Sequence, residues 1–379
     1  MAVCELSPKT ILMTADTVGG VWTYALELVK ALQPLGVEVH LATMGKLPTT
    51  AQKKEAAALK NIILHTASYQ LEWMEQPWRE VDAAGEWLLA LEKEIQPDLI
   101  HLNNYCHGDL PWQAPVLMVG HSCVLSWWKA VKGVEAPENY TTYARRVKKG
   151  LGAADLVLAP TKAYLEQLRY YYGPFVQDGV IANSRDGSYF KPGTKEKFIL
   201  SAGRLWDEAK NLAACEKAAA ELAWPIAIAG DNLHPGNGQE LAYHHLELLG
   251  RLEPAALAEK MAKAAIYIMP ARYEPFGLSI LEAALSGCAL VLGDIPSLRE
   301  NWQGVAQFVN PHDPEDIRSK LDFLIRNPQI RERMGTLARE RAADFNPGAG
   351  AAAYLHYYKA LLNSQNTVAD KALKPEQIV

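Results

Sequence analysis

The chain of 379 residues has room for about two domains of ordinary size, and its 49% hydrophobic content is ample for large cores. A formal net charge of −5 exerts no global pull toward nucleic acid or anionic membrane, so no nucleic-acid partner is expected. No apolar run is long enough to cross a bilayer, "MAVCELSPKT" is too polar for a signal peptide, and Cys4, Cys106, Cys123, Cys215 and Cys288 show neither disulfide nor zinc spacing. The expectation is a reduced, soluble, cytoplasmic protein.

The strand-like "TILMTA" leads into the helical "VWTYALELVKALQPLG" and then the strand "VEVHLATM". "NIILHT", "DLIHL", "PVLMVG" and "DLVLAP" follow, with helical patterns between most of them. "NSRDGSYFKPGTKEK", at about 183–197, breaks this pattern with turn formers and charges and reads as a linker. Alternation resumes in "FILSAG", a helix from about Asn211, "PIAIAG", "LELLG", "AAIYIMP", a helix from about Gly277, "ALVLGD" and "VAQFVN". The remainder turns helical through "PEDIRSKLDFLI", "PQIRERMGTLARERAADF" and "GAAAYLHYYKALL". Strands alternating with helices imply parallel sheets covered on both faces. The predicted fold is α/β, two doubly wound Rossmann-like domains, 1–190 and 191–346, with a loose tail over 364–379.

In open α/β sheets ligands bind at the carboxyl ends of strands, and the unusual residues gather there. Gly19-Gly20, Gly120-His121, Gly203-Arg204, Gly230-Asp231 and Gly250-Arg251 each follow a strand-like run, and Glu274 comes just after "AAIYIMP". The Gly pair is either a plain turn or a place where a phosphate reaches backbone N–H groups; it is not Gly-x-Gly-x-x-Gly, and no Walker A sequence occurs. Arg204 and Lys210, six apart before a helix, suit a diphosphate, unless Asp207 and Glu208 neutralise them in a solvated loop. His121 is a structural imidazole or one that touches a sugar hydroxyl at the reacting centre.

"RYEPFGLSILEAALSG" sets Glu274 and Glu282 eight positions apart around a Pro-Phe-Gly corner. Gly277 removes a side chain where the helix begins, leaving free N–H groups at 277–279 for an anion. Carboxylates beside an anion site suit a ligand that also carries hydroxyls, and a nucleotide sugar has both parts. Charge compensation of the helix would explain Glu274, but not Glu282 one turn further in.

These residues resemble the retaining glycosyltransferases of family 4, which have the GT-B fold. "EPFGLSILE" is similar to the family's Glu-x7-Glu signature, supported by "SAGRLWDEAKN", "GGVWTYALELVKAL", "ADLVLAPTKAYLEQL" and "VIANSRDGSYFKP", from about residue 10 to about 310. The resemblance implies that Glu282 binds the ribose and that Glu274 contacts the donor sugar. The backbones of Phe276, Gly277, Leu278 and Ser279 would hold sugar and phosphates, and those of Arg251 and Leu252 would read the base. Arg204 and Lys210, helped by Gly20, would neutralise the diphosphate, with His121 beside the reacting sugar. It further implies a final helix, about 347–363, returning to the first domain.

The implied activity is hexosyl transfer, with UDP-glucose as the donor on family frequency, to a saccharide or lipid-linked acceptor in polysaccharide or glycoconjugate biosynthesis. No Asp-x-Asp occurs, so no metal and no cofactor is expected. A nucleotide-sugar 2-epimerase of the same architecture, or a silent nucleotide-sugar binder, are the alternatives. Trp127 and Trp128 with Arg145, Arg146, Lys148 and Lys149 could contact sugars and lean on anionic headgroups at the inner face of a membrane, or form a partly packed loop and a solvated helix face. Oligomeric state is left open.

Overall fold

The computed structural model describes residues 6–231 and 242–372. Cys4 and residues 373–379 of the expected tail lie outside the described residues.

The first half runs β1 (Thr10–Asp16), α1 (Gly20–Leu32), β2 (Glu38–Met44), α2 (Thr50–Ala57), β3 (Ile62–Thr66), α3 (Trp78–Ile95) and β4 (Leu99–Leu102). It continues with β5 (Val116–Val119), α4 (Val124–Lys132), α5 (Thr141–Ala153), β6 (Leu156–Ala159), α6 (Lys162–Tyr172) and β7 (Asp178–Val180). The second half starts with β8 (Glu196–Ala202), α7 (Leu212–Ala219), β9 (Ile226–Ala229), β10 (Leu246–Gly250), α8 (Pro254–Lys263) and β11 (Ala264–Met269). Then come α9 (Leu278–Leu285), β12 (Ala289–Gly293), α10 (Pro296–Trp302), β13 (Ala306–Val309), α11 (Pro314–Arg326), α12 (Pro328–Ala342) and α13 (Pro347–Ala372).

Seven parallel strands form one sheet in the order β3-β2-β1-β4-β5-β6-β7, and six form the other in the order β10-β9-β8-β11-β12-β13. These are two Rossmann-like α/β domains. Central strands such as Leu99–Leu102 and Ala289–Gly293 are buried at every position, as a sheet covered on both faces requires. In each sheet the strand order reverses beside the first strand, between β1 and β4 and between β8 and β11. A crevice opens at such a reversal, and both crevices face the same cleft.

Two expectations are corrected. β7 was not foreseen: two of its three residues, Asp178 and Gly179, are poor strand formers, and the strand owes its place to edge pairing with β6. The tail was expected to loosen from Ser364, but α13 runs on to Ala372. Its earlier turns bury Ala351, Tyr354, Tyr358 and Leu361 against α1 and the first sheet, and a helix anchored so well propagates at little cost per residue.

α9 is apolar on nearly every side because it is buried on nearly every side. Ile280, Leu281, Ala283 and Ala284 are fully covered, and the two large side chains, Ile280 and Leu281, contribute about 1.5–3 kcal/mol each. Burial on this scale is what holds a charged residue, Glu282, inside the helix.

Candidate active site

The wall provided by the second sheet begins at Gly277, which caps α9 with φ +90°, a conformation that favours glycine. A Cβ there would also stand 2.6 Å from Cδ1 of Ile280. The N–H groups of Ile280 and Leu281 both bond back to the Gly277 carbonyl, at 3.0 and 3.1 Å. Those of Leu278 and Ser279 have no earlier turn to bond to, so they open toward the cleft. Phe276 is buried edge-on against Phe345, which leaves its backbone to serve the site.

Lys210 ends a short 3-10 turn (Glu208–Lys210), and its Nζ reaches Oε2 of Glu274 at 2.5 Å. Both side chains are largely buried, at 15% and 12% exposure, so removing either partner would leave the other as a buried, unpaired charge. Arg204 instead donates to Asp207 Oδ2 at 3.0 Å and lies over the Trp206 ring. The neutralisation weighed from sequence thus applies to Arg204, whereas Glu208 turns away to Lys132. Burial opposes ionisation of Asp207, but Arg204, Lys210 and the N–H donors Trp127 and Ala209 outweigh it and hold its carboxyl below the usual range.

Arg204 also crosses the cleft. A Cβ on Gly19 would lie 3.1 Å from its Nη1, and one on Gly20 would lie 3.5 Å from Leu278. A side chain at Gly19 would crowd the Arg204 guanidinium, whereas one at Gly20 would make ordinary contact with Leu278, so the first-domain turn lies directly against the second-domain wall. Arg251 is exposed and Leu252 half-buried at the carboxyl end of β10, at the same edge of the sheet.

Glu282 is 7% exposed, and its Oε1 accepts from Arg185 Nε at 2.7 Å. Arg185 Nη1 donates in turn to Glu27 Oε2 on α1, also at 2.7 Å. Burial raises the Glu282 pKa while Arg185 opposes the rise. Arg185 belongs to the stretch read as a linker; it is a clamp joining α1 to α9. The residue was missed because "SRDG" looks like a turn, although Glu27 on the apolar face of α1 signals that a cation must meet it.

Around His121 the first-domain wall is built of neutral polar groups. His121 Nε2 meets Asn103 Oδ1 at 2.8 Å, and its ring packs edge-on against Tyr24 at 4.5 Å. Asn103 Nδ2 donates to the Thr14 carbonyl at 2.7 Å, which fixes the orientation of the amide. His121 therefore donates from Nε2 and keeps Nδ1 free of a proton. Burial lowers its pKa to about 3, so the imidazole is neutral at physiological pH.

Behind it, Tyr24 bonds to Tyr354 at 2.7 Å and to His101 at 3.2 Å, and His101 bonds to Tyr358 at 2.7 Å. α13 thereby supports the ring on which His121 rests. Asp16, Asn103, Asn104 and this tyrosine set were not foreseen. The polar pair "NN" directly after "DLIHL" was the available signal for the asparagines.

Most of the aromatic and basic cluster on α4 and α5 is engaged within the protein. Trp127 donates to Asp207 Oδ1 across the cleft at 3.0 Å, Arg146 pairs with Asp82 and Lys149 with Asp109. Those contacts favour the packed reading over a free patch. Among the described residues no helix is long and apolar enough to cross a membrane, and Cys106, Cys123, Cys215 and Cys288 are free and buried.

Comparison with known proteins gives this cleft a family. A "Glycosyltransferase Family 4" model matches residues 18–185, and a "Glycosyl transferases group 1" model matches 188–341. The D-inositol 3-phosphate glycosyltransferase of Corynebacterium glutamicum is 25% identical, over 93% of this chain and 94% of its own. That of Frankia alni is 24% identical, over 91% and 95%. Among solved structures, sucrose-phosphate synthase from Thermosynechococcus elongatus superposes with TM-score 0.79 at 19% identity, covering 94% of this chain and 100% of that one. Anabaena HepE in complex with UDP-glucose gives 0.73 at 16%, covering 92% and 99%. With the two models adjoining between residues 185 and 188, the chain belongs to the family 4 glycosyltransferases and has their GT-B fold.

Proposed function

We propose that this glycosyltransferase moves a hexosyl group, glucose from UDP-glucose in the first instance, to a hydroxyl of a saccharide or lipid-linked acceptor with retention of anomeric configuration. The observation that carries the reading is the convergence of Arg204, the Lys210–Glu274 pair and the open N–H groups of α9 on one wall of the cleft. A pyrophosphate would meet two cations and a helix N-terminus there, and the sugar hydroxyls a carboxylate. The UDP-glucose bound to HepE, a neighbour of the same fold, supports this donor.

In the reaction the bond from C1 to the β-phosphate oxygen breaks and a bond from C1 to the acceptor oxygen forms on the same face. The acceptor proton passes to the departing phosphate oxygen. Charge developing on that phosphate is stabilised by Lys210, Arg204 and the α9 amides, which are in place before reaction. Glu274, held by Lys210, acts as a hydroxyl ligand rather than as a nucleophile. Glu282 keeps its second oxygen for the ribose while Arg185 holds the first. His121 offers Nδ1 to a hydroxyl of the reacting sugar.

The two cations do the work of a metal clamp, so no metal or other cofactor enters the proposal. Incubation with UDP-glucose and an acceptor series, read by NMR of the new glycosidic proton, is the test. An α-linked product that forms undiminished in chelator supports the reading. A β-linked product would sink retention, and complete loss in chelator would restore a metal.

A further inference from the structure

On the first-domain side the cleft widens into a cavity of about 120 Å³ that reaches from Arg204 and His121 to the loop before α3. At roughly 10–15 Å³ per water this is room for several waters, or for one small hydroxylated ring. It adjoins the place where the donor sugar would react, which is where a second substrate would have to approach.

The charges on its walls are few. Among the described residues that line it, Asp16, Glu72 and Arg204 are the charged ones. Arg204 is already paired with Asp207 and faces the donor side. Glu72 is buried, and its carboxylate accepts N–H bonds from Tyr105 at 3.0 Å and from Cys106 at 2.7 Å. Asp16 accepts from Val18 and Gly19 at 2.9 and 3.0 Å.

These backbone donors fix both carboxylates and leave lone pairs for further hydroxyls. His107 is held neutral by burial, its Nε2 on the Val81 carbonyl. The cation nearest behind Glu72, Arg146, is outside the lining, paired with Asp82 and stacked on Trp78. Half-buried Trp73 and exposed Gln70 complete the wall with an indole and an amide.

An aromatic face with fixed carboxylates and amides recognises a polyol. A phosphate dianion would lose its hydration beside two like charges with no cation to spare for it. We propose that this cavity is the acceptor subsite for an uncharged polyol or sugar ring, and that Asp16 and Glu72 exclude phosphorylated acceptors. The inference rests on the transferase reading above. It separates this chain from relatives whose names specify inositol 3-phosphate.

The test uses the intact chain with UDP-glucose and matched acceptor pairs: myo-inositol with its 3-phosphate, and glucose with glucose 6-phosphate. The neutral member of each pair is expected to react with a kcat/KM at least about tenfold higher, and Gln70→Lys to narrow that ratio. Thermal shifts of the same pairs in the presence of UDP rank binding even where turnover is slow, and the neutral member should shift Tm more. A phosphate ester bound or used better than its neutral partner overturns the inference. If UDP itself produced no shift, the donor reading would fall instead, so the two failures are distinguishable.

Discussion

The two walls of the cleft solve different problems with different materials. The second-domain wall presents fixed charge: Lys210 against Glu274, Arg204 against Asp207, and backbone N–H groups at the start of α9. Around His121 the first-domain wall presents neutral groups whose orientation is set by neighbours: His121 on Asn103, Asn103 on Thr14, Tyr24 between His101 and Tyr354. A pyrophosphate is the same in every nucleoside diphosphate sugar, so two short stretches of chain can recognise it with amides and cations. A hydroxylated acceptor would demand a particular set of donors and acceptors, and on the proposed reading those come from separate strand ends. The lesson is that the charged wall is built from segments that are local in sequence, and the hydrogen-bonded wall is not.

The clamp that joins the walls should give the largest effect. Arg185→Met would leave Glu27 and Glu282 buried and unpaired, and chemical denaturation should show a loss of about 3–5 kcal/mol. A loss below about 1 kcal/mol would mean that the two acids find water. Next, Lys210→Ala should lower kcat roughly ten- to a hundredfold, since a charged hydrogen bond is worth about 1.5–3 kcal/mol. Unchanged turnover in a folded variant would remove charge from the second-domain wall and end the contrast.

The first-domain wall is probed by pH. With pKa values of about 3, His101 and His121 stay neutral in the folded chain while the unfolded chain takes up protons below about 6.5. Each therefore makes stability fall as pH drops through that window, by up to about 1.4 kcal/mol per unit. The raised pKa values of Asp16, Glu72 and Glu282, which burial causes, act in the opposite sense. A His101→Gln variant should lose less Tm between pH 7 and pH 5 than the parent chain, and an equal loss in both would contradict the assignment.

Catalysis should likewise show no inflection near pH 6.5 that belongs to His121; one that vanishes in His121→Gln would show an imidazolium in the cycle. The smallest effect is expected from Trp127→Phe, which deletes the indole bond to Asp207 across the cleft. Donor KM should rise about fivefold, or about 1 kcal/mol, and acceptor KM should move less.

The second-domain wall was legible as a cluster because its signals are contiguous. "EPFGLSILE" contains the helix-start glycine and both acids, and "SAGRLWDEAKN" contains both cations. Even so, the ion-pair partners were not. Asp207 and Glu208 were equally placed to neutralise Arg204 or Lys210, and only side-chain packing assigns Asp207 to Arg204 and Glu274 to Lys210. The linker hid Arg185 for a related reason: turn residues mark a break in secondary structure but say nothing of what reaches across it. β7 was illegible because edge pairing overrode weak strand propensity.

What the amino-acid order determined alone is the periodic part of the molecule. Alternating apolar runs specify strands, helices and two parallel sheets, and residues at strand ends become cleft residues by topology. What tertiary structure decided is which distant groups meet: Glu27 with Arg185 and Glu282, Trp127 with Asp207, and α13 with the tyrosines behind His121. Periodicity is a property of neighbours along the chain and is written in spacing. A buried hydrogen bond or ion pair joins residues tens to hundreds of positions apart, and its partner is chosen only when the packed core brings the two together and removes the water between them.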